Sequence, residues 1–289
     1  MGGLATVVAL LVAAAMLRGA AVLPAQEPAS PLGLGGQIVE IAAVGGVTCS
    51  PDDLTSAGLP CLGSAMPALM AGANAVFILG DAGGGPPRDD PAWGRYLGHT
   101  YAVPETFRGE AQARAYAGAY GARGGQPGIG YYVVRIGQWT VYGLNSNCDQ
   151  VGGCERSSAQ GRWLADRLRT DAGCSLAIID RPWRTAVQAL GSSRVAELYA
   201  MLREAGVELV LAGHAPYYER FAPREGMAEL VAGTGGRELP SSREAAADGS
   251  EVQFATYGVV RITLFPNRYD GNFLSLGGQL LDGFSGDCH

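Results

Sequence analysis

The stretch that most constrains this chain is residues 207–223, VELVLAGHAPYYERFAP. An apolar run at Val207, Leu209, Val210 and Leu211 stops abruptly at Ala212-Gly213-His214. A buried strand that ends this way delivers a polar side chain to the carboxyl edge of a sheet, where open α/β folds place their chemistry. His214 is therefore the first candidate functional residue. The commoner fate of a histidine at a strand end is a structural hydrogen bond.

At 289 residues and 47% apolar content, the chain can bury a large core. We expect one α/β domain over residues 37–289, preceded by a Pro/Gly-rich linker at 26–36. Residues 1–25 carry an apolar core from Leu4 to Met16, followed by Arg18, Ala21 and Ala25. That core is short for a membrane span and reads as a signal peptide, with an uncleaved N-terminal anchor as the alternative. The expected localisation is secreted or extracytoplasmic, with membrane contact only if the segment is retained. The net charge is −6, and all 21 basic residues are arginine with no clustered basic run. Nucleic acid is thus not an expected partner.

Six cysteines in an exported chain suggest disulfides. Local spacing favours Cys49 with Cys61 and Cys148 with Cys154, which leaves Cys174 for Cys288. No close Cys-x-x-Cys pairs suggest a thiolate metal site.

Further strands are expected at Gln37–Val44, Ala75–Leu79 and Leu176–Ile179, and a hairpin at Tyr131–Ile136 and Trp139–Leu144 turning on Gly137-Gln138. Helices are expected at Cys61–Ala71, Glu110–Tyr120, Ser157–Thr170 and Arg194–Ala205. In the third of these, Trp163, Leu164, Arg167 and Leu168 form a core stripe. Strands at Leu230–Gly233, Tyr257–Phe265 and Tyr269–Leu276 should complete a second sheet, and 235–253 reads as a surface loop.

Five blocks carry a resemblance: Gly213-His214 with the trailing Tyr217-Tyr218-Glu219-Arg220-Phe221, IVEIAAVGGVTC, AVFILGD, GYYVVRIGQWTVYGLNSNC and LVAGTGG. In order and spacing they resemble the calcineurin-like metallophosphoesterases, in particular their secreted bacterial phosphatase-like branch. The resemblance implies a four-layer α/β/β/α sandwich of two mixed sheets flanked by helices. It also implies a dinuclear metal centre that hydrolyses phosphoesters.

The motifs depart from that family where it holds its metals. The aspartate ending the first strand is Gly46 here, and the asparagine ligand with its neighbouring proton-donating histidine are Thr106 and Phe107. The His-His-Pro segment is Asp180-Arg181-Pro182, in which an Asp–Arg ion pair is the plainest expectation. The second histidine of Gly-His-x-His is Pro216. Asp81 and His214 remain at family metal-ligand positions. The chain has only three histidines, His99, His214 and the terminal His289, and two cations about 3.5–4 Å apart need several anionic or imidazole donors.

Three readings follow. The preferred one is a degenerate, catalytically inactive member, a pseudoenzyme without resident cofactor that binds an unidentified ligand or protein. The second is an active phosphoester hydrolase with a rebuilt mononuclear site of Asp81, Glu105, Asp180 and His214, a donor set suited to one divalent metal such as Mn or Fe(II). The third is a purely structural or cell-surface interaction protein. Arg88, Arg108 and Arg181 are candidates to hold a phosphate without metal. Tyr217, Tyr218 and Phe221 either line a pocket or pack under the sheet edge.

Overall fold

The computed structural model describes residues 38–47, 62–81, 91–240 and 245–288, at Asp81 the backbone only. The strands in chain order are β1 (Val39–Val44), β2 (Ala75–Asp81), β3 (Thr100–Pro104), β4 (Tyr132–Ile136), β5 (Trp139–Leu144), β6 (Ser175–Ile179), β7 (Leu209–Ala212), β8 (Tyr218–Arg224), β9 (Met227–Ala232), β10 (Ser250–Phe254), β11 (Gly258–Leu264), β12 (Arg268–Ser275) and β13 (Leu280–Asp287). The α-helices are α1 (Pro91–Gly94), α2 (Glu110–Tyr120), α3 (Ala159–Thr170) and α4 (Ala196–Glu204).

Two mixed sheets result. The first runs β13-β12-β11-β1-β2-β3 and the second β10-β8-β9-β7-β6-β5-β4. In the first, β1, β2 and β3 are parallel and β11 joins β1 antiparallel. In the second, β5, β6, β7 and β9 are parallel neighbours.

The apolar faces explain the layering. Ile41, Phe77, Tyr101, Leu176, Leu211, Leu230 and Ile262 belong to one buried cluster, with Tyr218 of the second sheet stacked on Phe273 of the first at 4.1 Å. The outer face of the first sheet packs Val44, Val76 and Ile78 against Met66, Trp93, Tyr116 and Tyr120. That of the second packs Leu144, Ile179 and Val210 against Leu164, Leu198 and Leu202. Central strands therefore bury both faces, which is why they read as unbroken apolar runs rather than alternating ones. The expected α/β/β/α sandwich is the observed architecture.

Several local expectations change. The helix expected at Cys61–Ala71 is a 3₁₀ helix, Gly63–Met70, with Pro67 inside it, a residue that cannot donate to an α-helical ladder. The late strands do not share one sheet. β9 pairs parallel with β7, whereas β11 pairs antiparallel with β1 and carries β12. The stretch expected as a loop over 235–253 ends in β10, which pairs with β8.

Disulfides join Cys148 to Cys154 and Cys174 to Cys288. The expected Cys49–Cys61 pair and residues 1–25 lie outside the described residues. Among the described residues no helix is long and apolar enough to cross a membrane.

Candidate functional site

The carboxyl ends of β1, β2, β3, β5, β6 and β7 meet at one edge of the sandwich, and the close fit there is made by glycine. A Cβ added to Gly213 would sit 1.8 Å from the Leu79 carbonyl oxygen, and one added to Gly45 would sit 2.7 Å from the same atom. The loop after β9 is laid along this edge: Gly45 N–H donates to Ala232 O, Gly235 N–H to Gly45 O and Arg237 N–H to Gly46 O. The floor of the cleft is thus main chain contributed by both sheets.

His214 stands two residues after the end of β7, beyond Gly213. Its backbone is left-handed, at φ 65°, a region that costs a non-glycine residue energy. Its Nδ1 lies 3.5 Å from Oδ2 of Asp180, the residue just after β6. That separation is long for a hydrogen bond, and both atoms are buried without another partner among the described residues. Asp180 is 1% exposed. Burial pushes its carboxyl above the ordinary carboxylate value, the contact with His214 pulls it back, the charge of Glu105 raises it and that of Arg181 lowers it. The ionic contact of Asp180 is therefore with His214, not with Arg181 as expected from the sequence. Arg181 instead uses its backbone N–H to reach Ser146 Oγ.

Asp180 also lies over the end of β2. A Cβ on Gly80, which has φ +100°, would fall 2.0 Å from Asp180 Oδ1. This sets the Asp180 carboxylate beside the backbone that leads into Asp81, whose side chain lies outside the described residues.

Glu105 is bound by a residue that the sequence did not suggest. Arg237 donates to both of its carboxylate oxygens, at 3.1 and 2.8 Å. The aliphatic stem of Arg237 crosses Gly46, and a Cβ there would lie 3.7 Å from Arg237 Cγ and Cδ. A guanidinium arm thus runs past the position where the resemblance would place an aspartate ligand. Thr106 donates its hydroxyl to Asn147 Oδ1 at 2.6 Å, and the Asn147 amide donates to Pro104 O and Glu105 O. Phe107 turns its ring towards Tyr116, 5.4 Å away. Pro216 follows Ala215 in the tight turn between β7 and β8.

The structure therefore brings Asp180 and His214 together, with Glu105 near enough for its charge to reach Asp180. It leaves Arg108 exposed, while Arg88 lies outside the described residues. Tyr217, Tyr218 and Phe221 are buried packing residues. Sequence reading missed Arg237 and Asn147. The pair Asn145 and Asn147 directly after the apolar run of β5 was the available signal for the second, since polar amides at a buried strand end must find partners. Among the described residues no three His, Cys, Asp or Glu side chains are arranged to hold a metal ion. The side chains described at this edge carry too few donors for a two-metal centre.

No protein-family model and no curated protein matches the sequence. Solved structures do match the fold. A purple acid phosphatase from yellow lupin, Lupinus luteus, superposes with a TM-score of 0.63 at 14% identity, over 89% of this chain and 55% of the other. GAP50, titled the anchor in the inner membrane complex of Plasmodium, gives 0.59 at 15% identity over 87% and 89%. A dimetal phosphatase from Danio rerio gives 0.55 at 12% identity over 87% and 99%. With its two layered sheets, its cleft at the strand ends and these superpositions, this chain has the calcineurin-like metallophosphoesterase fold.

Proposed function

We propose that the chain is a secreted, degenerate metallophosphoesterase that acts by binding rather than by hydrolysis. The observation carrying this reading is the state of the donors in the cleft. Glu105 is neutralised by Arg237, Thr106 is committed to Asn147, and Gly46 and Pro216 offer no ligand atom, which leaves Asp180 and His214 as the described pair. Loss of even a supporting hydrogen bond around a metal ligand costs about 10–100-fold in affinity or activity, so loss of several ligands removes the basis for two-metal chemistry. The superposition on a protein titled as an anchor supports a binding role on this fold. The two disulfides suit an oxidising compartment.

A second reading has its own observation. Asp180 Oδ2 and His214 Nδ1 lie 3.5 Å apart, buried and without a hydrogen bond, and the Asp180 carboxylate stands against Gly80, the residue before Asp81, an arrangement that one divalent ion such as Mn or Fe(II) would satisfy. The two readings separate in one experiment. Purified protein is assayed with a generic phosphomonoester in added Mn, Fe or Zn, with metal content measured in parallel. The binding reading expects no chelator-sensitive turnover, and chelator-sensitive turnover with one metal per chain would replace it by the second.

A further inference from the structure

Two cavities open beside the cleft, and they differ in character. One, of about 720 Å³, lies between α2 and the loop before β4 and is lined by Phe107, Ala113, Tyr116, Ala117, Ile129 and Val151 among others. Its volume is in the range of ligand sites, which are mostly apolar with a few placed polar groups. The other, of about 280 Å³, is polar and lined by Thr106, Ser146, Asn147, Arg181 and Arg194 among others. Gln150 borders both, its side-chain amide donating to Phe107 O at 3.2 Å.

The charges in the smaller cavity are uneven. Arg194 is held by both oxygens of Asp149. The half-buried guanidinium of Arg181 has no hydrogen bond or ion pair with a carboxylate among the described residues. An apolar chamber that shares the Gln150 wall with a small polar one, whose Arg181 makes no salt bridge among the described residues, is complementary to a molecule with an apolar tail and a single anionic head. We propose that these two neighbouring cavities together bind an anionic amphiphile that passes over Gln150, its tail along Phe107 and the inner face of α2, its head on Arg181. The proposal rests on the binding reading above and names the ligand class for it.

Phe107 then has a positive role. The side chain that stands where the fold's relatives are expected to keep a proton donor becomes part of the wall that receives the tail.

The test is titration calorimetry of the full-length chain with decanoate, laurate and myristate, with tetradecyl phosphate to compare head groups and tetradecanol as a neutral tail. Affinity is expected to rise roughly three- to fourfold per added methylene, as transfer of a CH2 group from water implies. Ala117→Trp, which fills the chamber from the helix surface, should weaken every ligand at least tenfold. Arg181→Gln should weaken the anions about tenfold and leave tetradecanol unchanged. Tighter binding of the phosphate than of myristate assigns the head as a phosphate monoester, and the reverse assigns it as a carboxylate. Absence of binding by all five probes, binding that Ala117→Trp leaves intact, or equal effects of Arg181→Gln on charged and neutral ligands would each overturn the proposal. Circular dichroism of both variants controls for folding. Chelator-sensitive phosphatase activity in the same preparation would overturn the pseudoenzyme reading separately, without altering the calorimetric result.

Discussion

The two walls of the cleft differ. On the first sheet, the strand ends present Gly45-Gly46, the backbone of Asp81, and a Glu105 already engaged by an arginine. On the second, Asn145, Asn147, Asp180 and His214 follow β5, β6 and β7, and two of their buried atoms still lack partners. The described carboxylate of the first wall is paired, whereas the second wall holds two buried polar atoms without hydrogen bonds, and an unsatisfied buried polar atom costs roughly 1–3 kcal/mol. Fold and chemistry are thus maintained by different atoms, the fold by the main chain and glycine floor, the chemistry by side chains above it.

The sharpest way to break that division is to place a side chain in the floor. Gly213→Ala would set a Cβ 1.8 Å from a carbonyl oxygen, and we expect a loss of about 3 kcal/mol or more in urea unfolding. A mild effect would mean that the two walls are not locked together by this crossing. Next in size, Arg237→Ala should strand the Glu105 carboxylate and cost roughly 2 kcal/mol, as expected for a charged hydrogen-bonded pair that is only partly buried. Arg237→Lys should recover part of it, because lysine restores the charge but not the two parallel hydrogen bonds.

The smallest effect concerns the second wall. Burial holds the Asp180 carboxyl above its unfolded value, so between those two values the folded state carries the extra proton. Stability must therefore fall as pH rises through that window. Asp180→Asn should flatten this slope in denaturation measured across the acidic range, and should gain relative stability above it. A slope that survives the substitution would assign the titration to another group.

The strand ends were legible because a buried parallel strand announces itself as an apolar run and stops where its function begins, as at Leu211 and Ile179. The His214 position, the α2 boundaries and the Cys148–Cys154 bond followed from such local patterns, whereas Cys174 and Cys288, 114 residues apart, were paired as the two that local spacing left over. Strands β3, β8, β10 and β13 were not legible. β13 alternates exposed and half-buried residues around glycines, and its partner β12 is chosen by the sheet rather than by its own composition. Arg237 was hidden for a related reason. Its partner Glu105 is 132 residues away, and no local spacing encodes a contact made only after both sheets are stacked. The Asp180–Arg181 neighbours misled in the opposite sense, because adjacent residues after a strand point to different surroundings.

The bond between Cys174 and Cys288 ties an edge strand to the opposite sheet. Among the described residues β13 is an outer strand paired with β12, and beyond that ladder it is tied to the second sheet by Asp282, which accepts from Tyr218 and Arg220, and by this cystine. Reduction would remove the covalent tie that joins the end of this edge strand to the second sheet and leave its ladder and the Asp282 contacts to hold it.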